Sequence, residues 1–156
     1  MAVTPLTIRP MKAQDRAAWV AMRCALWPSD SHDAHAVGVD AWLKSEQQAW
    51  GFIAEAADGV PVGFAELAVR AYANGCDSQP VAFVEGIWVD PRFRRQGIGT
   101  RLIAHLEAFA FARGFRELGS DTELHNDSSQ AAHGAWGFCE TERVVYFRKL
   151  LVPREG

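Results

Sequence analysis

From Val81 to Val89 every residue is apolar except Glu85 and Gly86, and Asp90-Pro91 then ends the run. A short apolar run bounded by a turn signal reads as a strand, and a charge and a glycine in its middle point to a bulge or a functional residue rather than a plain pleat. Directly after it come Arg94-Arg95-Gln96-Gly97-Ile98-Gly99 and then a helical period. Leu102, Leu106 and Phe109 line one face of a helix over Ile98–Arg113, and Gly114 stands where a C-terminal cap belongs. A strand that feeds a glycine loop and an amphipathic helix commits the chain to packing helices on a sheet.

The rest of the chain fits that class. Val3–Arg9 alternates as a short strand, Lys12–Trp27 carries Trp19, Met22 and Leu26 on one helical face, and Pro28 ends it. Residues 29–40 read as a polar loop leading into a second helix over Asp40–Gln48. Trp50–Ala57 and Val60–Arg70 flank Asp58-Gly59, a strong hairpin signal. Phe115–Ser120 reads as a strand, Asp127–Trp136 as a short helix and Thr141–Leu151 as a last strand. The expectation is a single α/β domain over residues 1–156, with a mixed, mostly antiparallel sheet and flanking helices.

The glycine loop carries the chemistry. The first N–H groups of a helix lack intrahelical acceptors and sit at the positive end of its dipole, so an anion can take their hydrogen bonds while arginines add charge-assisted contacts. A pyrophosphate fits such a site. A dinucleotide fingerprint would need a third glycine where Leu102 stands, and no Gly-Lys-Ser or Gly-Lys-Thr occurs for a Walker loop. Sixteen Lys and Arg against nineteen Asp and Glu argue against a polyanion over the whole surface, so nucleic acid is not an expected partner. The start of the chain shows no leader pattern and no stretch is long and apolar enough to span a bilayer, which leaves a cytoplasmic protein with no membrane partner as the expectation. Cys24, Cys76 and Cys139 form no paired motif, so reduced, mostly packed thiols and no metal are expected.

Arg-x-x-Gly-x-Gly after an apolar strand ending in Val-Asp-Pro resembles the coenzyme A loop of the GCN5-related N-acetyltransferases. The resemblance implies that acetyl-coenzyme A is held by Arg94, Arg95, Gln96, Gly97, Ile98, Gly99 and Thr100, with Ile87, Trp88 and Val89 aligning its pantetheine arm and Asn126 close by. Trp136-Gly137-Phe138 is similar to that family's helix-to-strand corner. His133 stands where a tyrosine commonly protonates the leaving thiolate, and Tyr146 is its rival. Six dispersed segments narrow the likeness: Leu26-Trp27-Pro28, Asp33-Ala34-His35, Asn74-Gly75-Cys76-Asp77-Ser78, Val84-Glu85-Gly86-Ile87, Ser120-Asp121-Thr122 and Glu140-Thr141-Glu142-Arg143-Val144. Together they resemble the aminoglycoside 6'-N-acetyltransferases. The likeness assigns Trp27, Tyr72, Glu85, Asp121 and Glu142, with His32 and Asp33 nearby, to the acceptor cleft, and homologues of this type are often dimers.

Physical chemistry points the same way for the acceptor. A polyamine sugar needs spaced carboxylates and an aromatic face, and the chain offers Asp30, Asp33 and Asp40, then Glu117, Asp121, Glu123 and Asp127, besides Glu85 and Glu142. The expected reaction is direct attack of the amine on the thioester, with Asp121 or Glu85 removing the ammonium proton. Arg92, Arg94, Arg95 and Arg101 are expected to face the cofactor's phosphates while the carboxylates face the cationic acceptor. A polyamine, an amino acid or a protein amine is the alternative acceptor, and a non-catalytic acyl-coenzyme A sensor is the alternative of another class.

Overall fold

Gly59 takes a φ of 81°, and the Asp58-Gly59 turn that this permits folds strand β2 (Ala49–Ala56) back onto β3 (Pro61–Arg70). The computed structural model describes residues 5–153. Around the hairpin lie β1 (Leu6–Pro10), α1 (Arg16–Leu26), α2 (His32–Lys44), β4 (Val81–Val89), α3 (Ile98–Ala112), β5 (Leu118–Ser120) and α4 (Asp127–Ala135), with 3-10 turns at Ala13–Asp15 and Pro91–Phe93. The five strands form one sheet in the order β1-β2-β3-β4-β5. The first four pair antiparallel and β5 joins parallel to β4, a connection that α3 supplies as the crossover.

Two cores sandwich the sheet. On one face α3 buries Ile98, Leu102, Ile103, Leu106 and Ala110 against Phe52, Ala65, Leu67 and Val84. On the other, Trp19, Val20 and Met22 of α1 and Val39 of α2 close on Ile53 and Phe64. Gly114, at φ 93°, stops α3 by letting Phe115 N–H reach the Ala110 carbonyl and Gly114 N–H reach that of Phe111. That reversal uses Phe115, which shortens the expected strand Phe115–Ser120 to Leu118–Ser120.

Two further expectations are corrected, and part of a third lies outside the described residues. The second helix begins at His32, inside the segment read as a loop, because the Ser31 hydroxyl caps it by accepting from Ala34 N–H and because His35 and Val39 give it a buried face. The first strand is described from Leu6, so Val3 and Thr4 lie outside the described residues. Thr141–Leu151 is not a strand: its apolar pattern suits one, but a strand needs a neighbour, and Val145, Tyr146, Phe147, Leu150 and Leu151 stand exposed. Among the described residues no helix is long and apolar enough to cross a membrane.

Candidate active site

β4 changes partners halfway along its length. Ala82, Phe83 and Val84 pair with β5, and from Glu85 to Val89 the edge facing β5 has no strand partner among the described residues, so the sheet opens there. Apart from the Val89 carbonyl, which accepts from Arg94 Nε, backbone groups on that edge have no strand to pair with and can meet a ligand. The opening coincides with a bulge. Glu66 of β3 pairs with Gly86 and Leu67 with Val84, which leaves Glu85 as the extra residue.

Glu85 has a partner that the sequence did not announce. Arg70, the last residue of β3, donates to both of its carboxylate oxygens at 2.7 Å and lies over the Phe83 ring at 3.5 Å. Asp121 and Tyr146 also act on Arg70 electrostatically, more weakly than Glu85 does. Asp121 is exposed and has no hydrogen bond or ion pair among the described residues. The Tyr146 hydroxyl lies 3.5 Å from Asn74 Nδ2. Tyr72 and Glu142 are exposed, and Glu142 rests against the Gly75 turn, where a Cβ would come within 3.7 Å of it.

The glycine loop is built as a cap without a side chain. Gly97, at φ 77°, is the N-cap of α3, and the first intrahelical bond runs from Arg101 N–H to its carbonyl. The amides of Ile98, Gly99 and Thr100 therefore have no acceptor within the helix. Arg95 itself takes φ 61°, and Arg94 Nε donates to the Val89 carbonyl, tying the loop to the end of β4. Ile98 is buried, whereas Gln96 and Thr100 are exposed. Gly99 serves packing: a Cβ there would lie 2.8 Å from the Trp136 ring. Asn126 caps α4 by accepting from Ser129 N–H. Ile87 and Val89 pack toward the α3 face and Trp88 toward the α1 face.

Several of the charges expected to face a ligand have partners within the chain. Arg92 is clamped on Asp90, whose carboxyl it holds below its ordinary pKa, and Arg101 reaches back to the Leu6 carbonyl, so neither is committed to the loop. On the acidic side Asp40 pairs with Arg16, and Glu117 accepts from the amides of Asp77 and Ser78, which lowers its pKa. His32 and Asp33 point into solvent on the first turn of α2.

Trp27 sits on β4: a Cβ at Gly86 would come within 2.6 Å of its indole. The indole also stacks on His35, whose Nε2 is 2.9 Å from the Trp27 carbonyl. His133 is held by Ser129 and Ser120. Nδ1 is 2.7 Å from the Ser129 carbonyl, which fixes it as donor, and Nε2 is 2.7 Å from the Ser120 hydroxyl. The ring packs against Trp136 and Phe138. Cys24 and Cys76 are partly buried and Cys139 is exposed. A cavity of about 250 Å³ beside β5 is lined by Cys76, Glu107, Glu117, Gly119 and Trp136 among others, and of the carboxylates offered for the acceptor only Glu117 lines it. Among the described residues no cluster of three His, Cys, Asp or Glu is arranged to hold a metal ion.

Residues 16–138 match the Acetyltransferase (GNAT) family. Aminoglycoside N(6')-acetyltransferase type 1 of Serratia marcescens is 50% identical over 135 residues, 86% of this chain and 92% of its own. The solved structure of AAC(6')-Iy in complex with the bisubstrate analogue CoA-S-monomethyl-acetylneamine covers 95% of this chain and 100% of its own, at 42% identity and a TM-score of 0.89. The same enzyme in complex with CoA gives 43% identity, coverage of 94% and 95%, and a TM-score of 0.88.

Proposed function

Since this chain belongs to the GNAT family of acetyltransferases, we propose that it transfers the acetyl group of acetyl-coenzyme A to the 6'-amino group of aminoglycosides and so confers resistance to them. The observation that carries the reading is the near full-length agreement with an aminoglycoside 6'-acetyltransferase bound to a conjugate of coenzyme A and an aminoglycoside. Acetyl-coenzyme A is a cosubstrate here, and no metal is part of the reaction scheme.

The pyrophosphate takes the amides of Ile98, Gly99 and Thr100, with Arg94, Arg95 and Gln96 around it and Gly97 leaving the approach open. The pantetheine arm runs along Ile87, Trp88 and Val89, where the edge of β4 is unpaired, and passes Asn126. Trp27, Tyr72, Glu85, Asp121 and Glu142, with His32 and Asp33 at the rim, receive the polycation. Because Arg70 already occupies both oxygens of Glu85, that carboxylate orients the acceptor. Asp121, without a partner of its own, takes the ammonium proton directly or through water. The freed lone pair attacks the thioester carbonyl carbon, and a backbone N–H of β4 stabilises the oxyanion. The attacking nitrogen gives its second proton to water, the carbon–sulfur bond breaks, and the thiolate receives a proton from Tyr146, which water then reprotonates; both ring nitrogens of His133 are taken.

Incubation with acetyl-coenzyme A and kanamycin, followed by free-thiol release, tests the assignment. Release with spermidine or peptides and none with kanamycin would move the enzyme to another acceptor. We also place the protein in the cytoplasm, where its cosubstrate is made, and read it as a homodimer. The apolar segment that includes Val145, Tyr146, Phe147, Leu150 and Leu151 is exposed in the single chain and suits pairing with a second copy. Light scattering at twice the 17.2 kDa chain mass checks that state.

A further inference from the structure

Three residues in register across neighbouring strands, Gly51 of β2, Glu66 of β3 and Gly86 of β4, form a row beneath α1. Above them Trp19, Arg23 and Trp27 follow one another every four residues, a repeat of about 6 Å along a helix over strands about 4.8 Å apart. The two rows interlock. A Cβ at Gly51 would lie 2.4 Å from the Trp19 ring and one at Gly86 2.6 Å from the Trp27 ring, so each glycine is the socket for an indole. Between the sockets Glu66, 1% exposed, accepts from Trp19 Nε1 at 2.7 Å and has Arg23 Nη1 3.2 Å away. The Arg23 guanidinium also lies 5.1 Å from the Trp27 ring centroid, and two of its buried nitrogens have no hydrogen bond. A buried ion pair is weak grounds for stability, since an apolar pair of the same volume often does better. The pair here ties Arg23 of α1 to one point on β3, a directional contact that an apolar pair would not make.

We propose that Glu66 is a positioning residue for the acceptor: through Arg23 it seats α1 so that the Trp27 indole lies on Gly86, next to Glu85 at the bulge. This rests on the proposed function and on Trp27 as a wall of the acceptor cleft. Glu66 touches neither substrate and acts through Trp27.

Glu66→Gln keeps an oxygen for the Trp19 N–H and removes the charge that faces Arg23 when the carboxyl is ionised. With the full-length enzyme, the KM for kanamycin is expected to rise about tenfold while kcat and the KM for acetyl-coenzyme A stay within about twofold. In a Trp27→Phe background the same substitution should then change the kanamycin KM less than about twofold. An equal rise in both KM values, or an undiminished effect in that background, overturns the proposal. Fluorine NMR of 5-fluorotryptophan protein, with the Trp27 signal assigned by its loss in Trp27→Phe, reads the seating without turnover. The Trp27 signal should shift or broaden in Glu66→Gln, and an unmoved signal overturns the proposal. Failure of the parent enzyme to acetylate kanamycin would instead contradict the activity. If Glu66→Gln does not fold, Arg23→Lys, which keeps the charge and loses the planar guanidinium, is held to the same outcomes.

Discussion

Arg70 holds Glu85 through two hydrogen bonds of 2.7 Å, Nε to Oε1 and Nη2 to Oε2. A carboxylate bound on both oxygens is fixed in direction and poorly placed to accept a further proton. The proposed task of base therefore falls to a neighbour of this pair.

That neighbour is Asp121. Asp121→Asn is expected to lower kcat about a hundredfold or more, the usual loss when a positioned base is removed, with the KM for acetyl-coenzyme A within about twofold. Thiol release under saturating kanamycin measures it, and unchanged turnover removes Asp121 from the reaction.

His133 and Tyr146 should separate cleanly. His133 is spanned by Ser129 and Ser120 and packed on Trp136 and Phe138, so His133→Phe should lower Tm by several degrees while kcat stays within about threefold. Tyr146→Phe should lower kcat about tenfold with no loss of Tm, because it removes only a hydroxyl whose hydrogen bond, from Asn74 Nδ2, is long at 3.5 Å. The reverse pattern would return the acid's role to His133.

The two loop glycines do different work. Gly97 has open space where a Cβ would go but a φ of 77°, so Gly97→Ala should cost about 1 kcal/mol in backbone strain. Gly99→Ala meets the Trp136 ring at 2.8 Å and should cost about 1–3 kcal/mol through overpacking. Urea unfolding decides between them, and a larger loss at Gly97 would contradict the assignment.

Burial pushes the Glu66 carboxyl up to about 7 from an ordinary 4.5, although Arg23 and the Trp19 N–H oppose the rise. The folded state thus holds a proton that the unfolded chain releases, so this group's contribution is complete below the unfolded value and is lost as pH rises through about 7. Asp15, Asp90 and Glu117, held below their ordinary values, lose stability in acid instead, but they are common to the parent and to Glu66→Gln and cancel in the difference. The parent's Tm relative to Glu66→Gln should fall between about pH 5 and about pH 8. A flat difference contradicts a buried, titrating Glu66.

What could be read from the sequence was local. The limits of β4 at Val81 and Val89 coincide with expectation because an apolar run meets Asp90-Pro91, and α3 follows its 3.6-residue period to Gly114. The bulge at Glu85 was legible as a charge and a glycine inside a strand. Long-range pairing was not. Arg70 finds Glu85 across fifteen residues of sequence, and Glu66 finds Trp19 across forty-seven, with no spacing to betray either. Counting arginines likewise placed Arg92 and Arg101 on the phosphates, whereas Asp90 and the Leu6 carbonyl hold them. The strand expected over Thr141–Leu151 depends on a partner that its own pattern cannot provide.

The central claim is that a carboxylate-lined cleft delivers one amine, the 6' amine, to the thioester. Thiol release with two aminoglycosides that differ only in a 6'-amino or a 6'-hydroxyl group tests it most directly. The account predicts stoichiometric release and a product heavier by one acetyl group with the first and none with the second. Equal release with both would contradict it.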